Sequence, residues 1–121
     1  MPKTILVLED EEMLYQLVHD LLHFEGYQVH RLTDFNNLSG ELRANPADAI
    51  VADVNLRGAN GMDLVEALRR QPDFNNVYVL LTSGIDYGEE ALQRGADDFL
   101  QKPYMPDELV NLLASRLAEG S

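Results

Sequence analysis

The stretch Ala49-Ile50-Val51-Ala52-Asp53-Val54-Asn55 decides how the chain folds. A short apolar run enters a single carboxylate and gives way to a polar loop, Asn55 to Asn60, that contains Gly58, with Gly61 just beyond it. An apolar run this short, bounded in this way, reads as a buried strand of a parallel sheet, because both of its faces must be covered. Its carboxyl end is Asp53.

Working outward, Thr4-Ile5-Leu6-Val7-Leu8 is a second such run, and it stops in acid at Glu9, Asp10, Glu11 and Glu12. Leu14, Leu17, Val18, Leu21 and Leu22 then recur at helical spacing, the stripe of a helix that packs on a sheet, with Gly26 as its left-handed stop. The acids at its start also suit the positive end of the helix dipole. Tyr27, Val29 and Arg31 alternate with polar residues in a short strand near an edge. Thr33 or Asp34 is expected to cap a helix that presents Phe35, Leu38 and Leu42 and ends before Pro46.

Beyond Asp53, a third helix is marked by Met62, Leu64, Val65 and Leu68, and Val77 to Leu81 is a strand that runs into Thr82-Ser83-Gly84. Asp86 to Arg94 predicts a short helix stopped at Gly95, Asp98-Phe99-Leu100 a last strand before Lys102-Pro103, and Pro106 the first turn of a helix that buries Leu109, Leu112, Leu113 and Leu117. Five strands alternating with five helices predict an α/β fold, a doubly wound parallel sheet with helices on both faces.

Length and composition bound the function. At 121 residues, one domain spanning 1–121 is expected. No apolar run is long enough for a membrane span, and Met1-Pro2-Lys3 leads into the first strand without a signal-peptide pattern, so the expected setting is the cytoplasm. There is no cysteine for a disulfide or a thiolate metal site. A formal net charge of −12 with only nine lysines and arginines argues against direct binding of DNA or RNA, which rests on cationic side chains displacing counterions. The terminal Glu119-Gly120-Ser121 reads as a natural end, the start of a linker or an appended tail.

In an open parallel sheet, ligands bind outside the carboxyl ends of the strands, so the residues just past each strand form one set: Glu9, Asp10, Asp53, Thr82 and Lys102. Three acids converging on one crevice need a cation. Mg²⁺ suits an oxygen-only site that keeps several waters, and His19, His23 and His30 fall away from the crevice. With a cation present, Asp53 is the candidate nucleophile toward a phosphoryl group, Lys102 would pair with one phosphoryl oxygen, and Thr82 would donate a hydrogen bond to another. A lone Asp at a strand end is ordinarily a loop or cap residue, and a lone Lys-Pro pair a turn; the joint placement carries the reading.

Leu8-Glu9-Asp10-Glu11, Asp53-Val54-Asn55-Leu56 with Gly61, Leu81-Thr82-Ser83 and Gly95-Ala96-Asp97-Asp98-Phe99-Leu100-Gln101-Lys102-Pro103 together resemble the receiver domain of two-component response regulators, over essentially the whole chain. The resemblance implies the flavodoxin-like (βα)5 fold of the chemotaxis regulators, with strand order 2-1-3-4-5. It implies that Asp53 accepts a phosphoryl group from a histidine kinase or phosphotransfer protein. It further implies that Glu9, Asp10 and Asp53 gather Mg²⁺ with the carbonyl of Asn55, that Thr82 and Lys102 hold the phosphoryl group, and that Thr82 and Phe99 form the switch. The signal would alter a downstream protein target or output domain through the face of helix four, strand five and helix five, from a stand-alone receiver or part of a longer regulator. By the same resemblance the chain would catalyse its own phosphotransfer and autodephosphorylation without being a conventional enzyme.

The chain departs from the family pattern at Glu9, where Asp is commoner, at Arg57 in place of proline, at Ser83 in place of alanine, at Gly84 and Gly88, which weaken the start of helix four, and at Phe99 in place of tyrosine. Three alternatives make different demands on these residues. A haloacid-dehalogenase-type phosphatase would want a second Asp at Asn55. A flavodoxin-like carrier would want a phosphate loop in place of Glu9 to Glu12. A receiver that signals by protein binding without phosphorylation shares every residue named.

Overall fold

The structure is a computed structural model, and residues 2–118 are described. Glu119-Gly120-Ser121 lies outside the described residues. Thr4–Leu8 (β1), Gln28–Arg31 (β2), Ala49–Asp53 (β3), Tyr78–Ser83 (β4) and Asp98–Gln101 (β5) form one parallel sheet in the order β2-β1-β3-β4-β5. The helices are Glu12–Phe24 (α1), Leu38–Ala44 (α2), Gly61–Arg69 (α3), Gly88–Gln93 (α4) and Pro106–Leu117 (α5).

Alternation along the central strands sorts the core into two layers. Leu6, Leu8, Ile50, Ala52, Val79 and Leu81 point to the face covered by α2, α3 and α4, where they meet Leu42, Val65, Leu68 and Ala91. Ile5, Val7, Val51 and Leu80 point to the other face, where Leu22 of α1 and Leu109 and Leu113 of α5 meet them. A strand buried on both sides has no polar position to spare, which is why β1, β3 and β4 read as continuous apolar runs.

Local chemistry sets most boundaries. Gly26 and Gly95, with φ of +95° and +114°, end α1 and α4 in the left-handed region. Pro106 opens α5 at its first turn. The Asn60 side chain accepts from the backbone N–H groups of Met62 and Asp63 and caps α3.

The structure corrects several expectations. The segment after Asp34 begins as a 3-10 turn over Phe35–Asn37, and Asp34 makes no side-chain cap bond. The loop after Asp53 is partly ordered by a short antiparallel bridge of Asn55–Leu56 with Ala59–Asn60. Along α1 only Leu22 of the predicted stripe is fully buried; Leu14, Val18 and Leu21 are half-buried and Leu17 is 61% exposed. The reason lies beside it in the same layer, where a cavity separates that stripe from Tyr104 and Pro106 at the start of α5.

Candidate functional site

From β1 the chain crosses to β2 at one edge and later returns to β3 on the opposite side of β1, so the order reverses between β1 and β3. Crevices at such reversals are where open sheets bind ligands. Glu9 follows β1, Asp53 ends β3, and Thr82 is the register partner of Asp53 on β4. The backbone continues this ladder: the Val54 N–H donates to the Thr82 carbonyl at 2.8 Å, and the Lys102 N–H to the Ser83 carbonyl at 2.8 Å, which fixes Lys102 just past β5.

The lysine closes the site. Its Nζ donates to Asp53 Oδ2 at 3.0 Å and to Glu9 Oε1 at 3.3 Å. Burial by itself would lower the pKa of this ammonium, but the hydrogen bond and charge of Asp53, joined by Glu9, outweigh burial and raise it above the ordinary lysine value. Glu9 is 7% exposed and Thr82 4%, so this is a charged pocket held away from bulk water. Burial also pushes the neighbouring Tyr104 phenol up, against the opposing charge of Lys102.

The third acid points elsewhere. Asp10 Oδ2 accepts from the Arg57 backbone N–H at 2.6 Å, which ties the acidic turn to the loop after β3. The Asn55 N–H donates to Asp53 Oδ1 at 3.3 Å, and its side-chain amide to Ser83 Oγ at 3.1 Å. The mutual repulsion expected of three acids is thus relieved in two ways, by an ammonium shared between two of them and by a backbone donor for the third.

Sequence reasoning missed two supports. Arg31, at the end of β2, donates to the Glu9 carbonyl at 3.2 Å and to Glu12 Oε2 at 2.7 Å while its guanidinium lies 4.3 Å from the Tyr15 ring centroid. An arginine ending a strand beside an acidic turn was the available signal. Gly61 packs directly behind the end of β3: a Cβ there would stand 2.5 Å from the Asp53 carbonyl oxygen and 3.0 Å from Val54 Cα. Phe99 is half-buried in β5, against the core layer under α4. The three histidines line a depression made by α1 and β2, on the far edge of the sheet from Thr82 and Lys102.

The residues fit a hard divalent cation by donor chemistry: the crevice offers carboxylate and carbonyl oxygen and no softer ligand. Among the described residues no three acidic or histidine side chains already form a cage. Mg²⁺ needs none, since it keeps several waters and takes one or two carboxylates.

A family profile described as the response regulator receiver domain matches residues 5–114. The aerobic respiration control protein ArcA of Escherichia coli strain K12 is 32% identical over 124 residues, covering 97% of this chain and 51% of that protein. The phosphate regulon transcriptional regulatory protein PhoB of Klebsiella pneumoniae is 30% identical over 113 residues, covering 91% and 49%. The chain therefore spans about half the length of the curated relatives it matches. The crystal structure of the receiver domain of the TMAO respiratory system response regulator TorR superimposes with a TM-score of 0.84 at 28% identity, covering 96% of this chain and 97% of that one. The chemotaxis response regulator CheY4 of Vibrio cholerae, at 24% identity and a TM-score of 0.86 over 96% and 99% of the two chains, shares the fold. These matches leave no support for the phosphatase or the electron carrier.

Proposed function

The chain belongs to the response regulator receiver domain family, and from that membership we propose that residues 1–121 are one phosphoacceptor unit of a two-component signalling system, with Asp53 as the residue that takes the phosphoryl group. The observation that carries the reading is the Lys102 ammonium bonded at once to Asp53 and Glu9, beside a buried Thr82 in register with Asp53. That arrangement supports the reading, because a carboxylate, an ammonium and a hydroxyl come together at three strand ends.

An oxygen of the Asp53 carboxylate attacks phosphorus in line with the leaving group, and the bond from phosphorus to the donor atom of a histidine kinase or phosphotransfer protein breaks. Lys102 and Thr82 meet the equatorial oxygens, where charge is spread in the transition state. Glu9, Asp10, Asp53 and the Asn55 carbonyl would hold Mg²⁺, which supplies further neutralisation of that charge. Arg31 and the Arg57 N–H keep the acidic turn in place. Once phosphorylated, Asp53 draws the Thr82 hydroxyl, Phe99 follows into the space beneath α4, and the face of α4, β5 and α5 changes for a protein target or output domain. The setting is the cytoplasm, in keeping with membership of the receiver family, and the chain itself binds no nucleic acid, which its net charge of −12 supports. Among the described residues no helix is long and apolar enough to cross a membrane.

Incubation with acetyl phosphate and Mg²⁺, read by intact mass, tests the reading. Wild type should gain one base-labile phosphate and Asp53→Asn none. Equal labelling of the two proteins, or no labelling of wild type, overturns it, the latter in favour of a receiver that signals by binding alone.

A further inference from the structure

The uncovered stripe of α1 forms one wall of a half-open cavity of about 700 Å³ between α1 and the β5–α5 turn. Leu14, Leu17, Val18 and Leu21 face Tyr104 and Pro106 across it. At its inner end the same cavity is lined by Glu9, Asp53, Thr82 and Lys102. The volume falls in the range of small-ligand pockets, and the composition is theirs too: apolar walls with a few polar groups gathered at one end.

The occupant follows from that polarity. The polar end is the phosphoacceptor with its ammonium, its hydroxyl and the Glu9 carboxylate, which with a divalent cation present suits an anionic phosphoryl head, and everything leading outward from it is aliphatic or aromatic. We propose that the cavity receives the aliphatic leaving group of a small acyl phosphate, so that the chain favours medium-chain acyl phosphates over acetyl phosphate as direct phosphodonors. This rests on the reading of Asp53 as acceptor. An Asp53 carboxylate oxygen forms a new bond to phosphorus; the bond from phosphorus to the bridging oxygen of the acyl phosphate breaks; and the fatty carboxylate leaves with that electron pair, needing no proton at neutral pH.

Each methylene fully removed from water is worth about fourfold in binding. Hexanoyl phosphate carries four methylenes more than acetyl phosphate, and a cavity open on one side covers about half of their surface, so the expected gain is about fifteenfold.

The test is the apparent second-order rate of phosphate gain by the full chain with Mg²⁺, measured by intact mass for acetyl, butyryl and hexanoyl phosphate. Wild type and Leu17→Asn are compared; Leu17 is exposed, so the substitution leaves the core intact. The expected result is a rate rising with chain length to about fifteenfold, and a hexanoyl-to-acetyl ratio at least threefold smaller in Leu17→Asn. Asp53 labelled at one rate by all three donors, or a ratio untouched by Leu17→Asn, overturns the proposal and leaves the groove to a macromolecular partner, with Asp53 still the acceptor. Failure of every donor to label Asp53 overturns the acceptor reading and this inference with it.

Discussion

Gly61→Ala sets two effects of opposite sign against each other at the back of the acceptor strand. Alanine is the better helix former, worth up to about 1 kcal/mol in a helix interior and less at the first turn, where residue 61 lies. Against this, the new methyl would stand 2.5 Å from the Asp53 carbonyl oxygen, short of an ordinary carbon–oxygen approach by about 1 Å. The atoms it meets are backbone on the buried side of a strand, so no rotamer change relieves the overlap. Nor can the two segments drift apart freely, because the Gly61 N–H donates to the Val54 carbonyl at 2.7 Å. Overpacking of this kind costs about 1–3 kcal/mol. The clash therefore wins, with a net loss of about 2 kcal/mol and a fall in Tm of about 8 °C for a domain of this size. Because the displaced atoms belong to Asp53 and Val54, phosphorylation by acetyl phosphate should also slow, by up to about a hundredfold. Gly84→Ala is the control: nothing lies within 4 Å of a Cβ there and its φ is ordinary, so its Tm should stay within about 2 °C of wild type. Calorimetry of the three proteins decides the matter. A Gly61→Ala protein melting at or above wild type would refute the close approach on which the reasoning rests.

Two further outcomes are expected. Lys102→Met leaves Glu9 and Asp53 without their shared cation; breaking a wholly buried pair costs about 3–5 kcal/mol, and since the lysine side chain retains 24% exposure the loss should be about 1–2 kcal/mol at neutral pH without Mg²⁺, read as a lower urea midpoint. Burial first, and then its 2.8 Å hydrogen bond to Asp98, raise the Tyr78 pKa well above that of a free phenol. Above the unfolded tyrosine pKa the unfolded chain releases a proton that the folded chain keeps, so stability present below about pH 10 is lost as pH rises, by up to about 1.4 kcal/mol per pH unit. Lys102, also raised, acts in the same direction at slightly higher pH. Tyr78→Phe should therefore cost about 1 kcal/mol at pH 7 and yet lose stability less steeply above pH 10, and urea melts across that range giving equal slopes would count against it.

The sheet was legible in the sequence because strands buried on both faces carry no ambiguity. Ala49 to Ala52 and Val79 to Leu81 have no polar position from which another structure could be read, and Gly26 and Gly95 mark stops by a conformation few other residues adopt. The site followed, because strand ends fixed in order fix the residues after them. What escaped was side-chain direction over long range. Nothing in the acidic run from Glu9 to Glu12 says that Asp10 turns to the Arg57 N–H while Glu9 turns to Lys102, since both choices satisfy a carboxylate equally well. The half-covered face of α1 was equally hidden: a stripe of leucines states which side is apolar, and how closely α5 approaches depends on the turn at Pro103 to Pro106. Asn60 as a cap was masked by lying in a loop already read as polar.

The ammonium that joins Glu9 to Asp53 reaches across 93 residues to the one and 49 to the other. During synthesis the acceptor aspartate and the acidic turn leave the ribosome well before the strand that brings their cation. Until β5 docks against β4, a growing chain holds two mutually repelling carboxylates and no lysine between them. The final strand therefore does more than complete the sheet: its arrival brings the ammonium to Asp53, and on the proposed reading a partly made chain displays that carboxylate without the cation its chemistry needs.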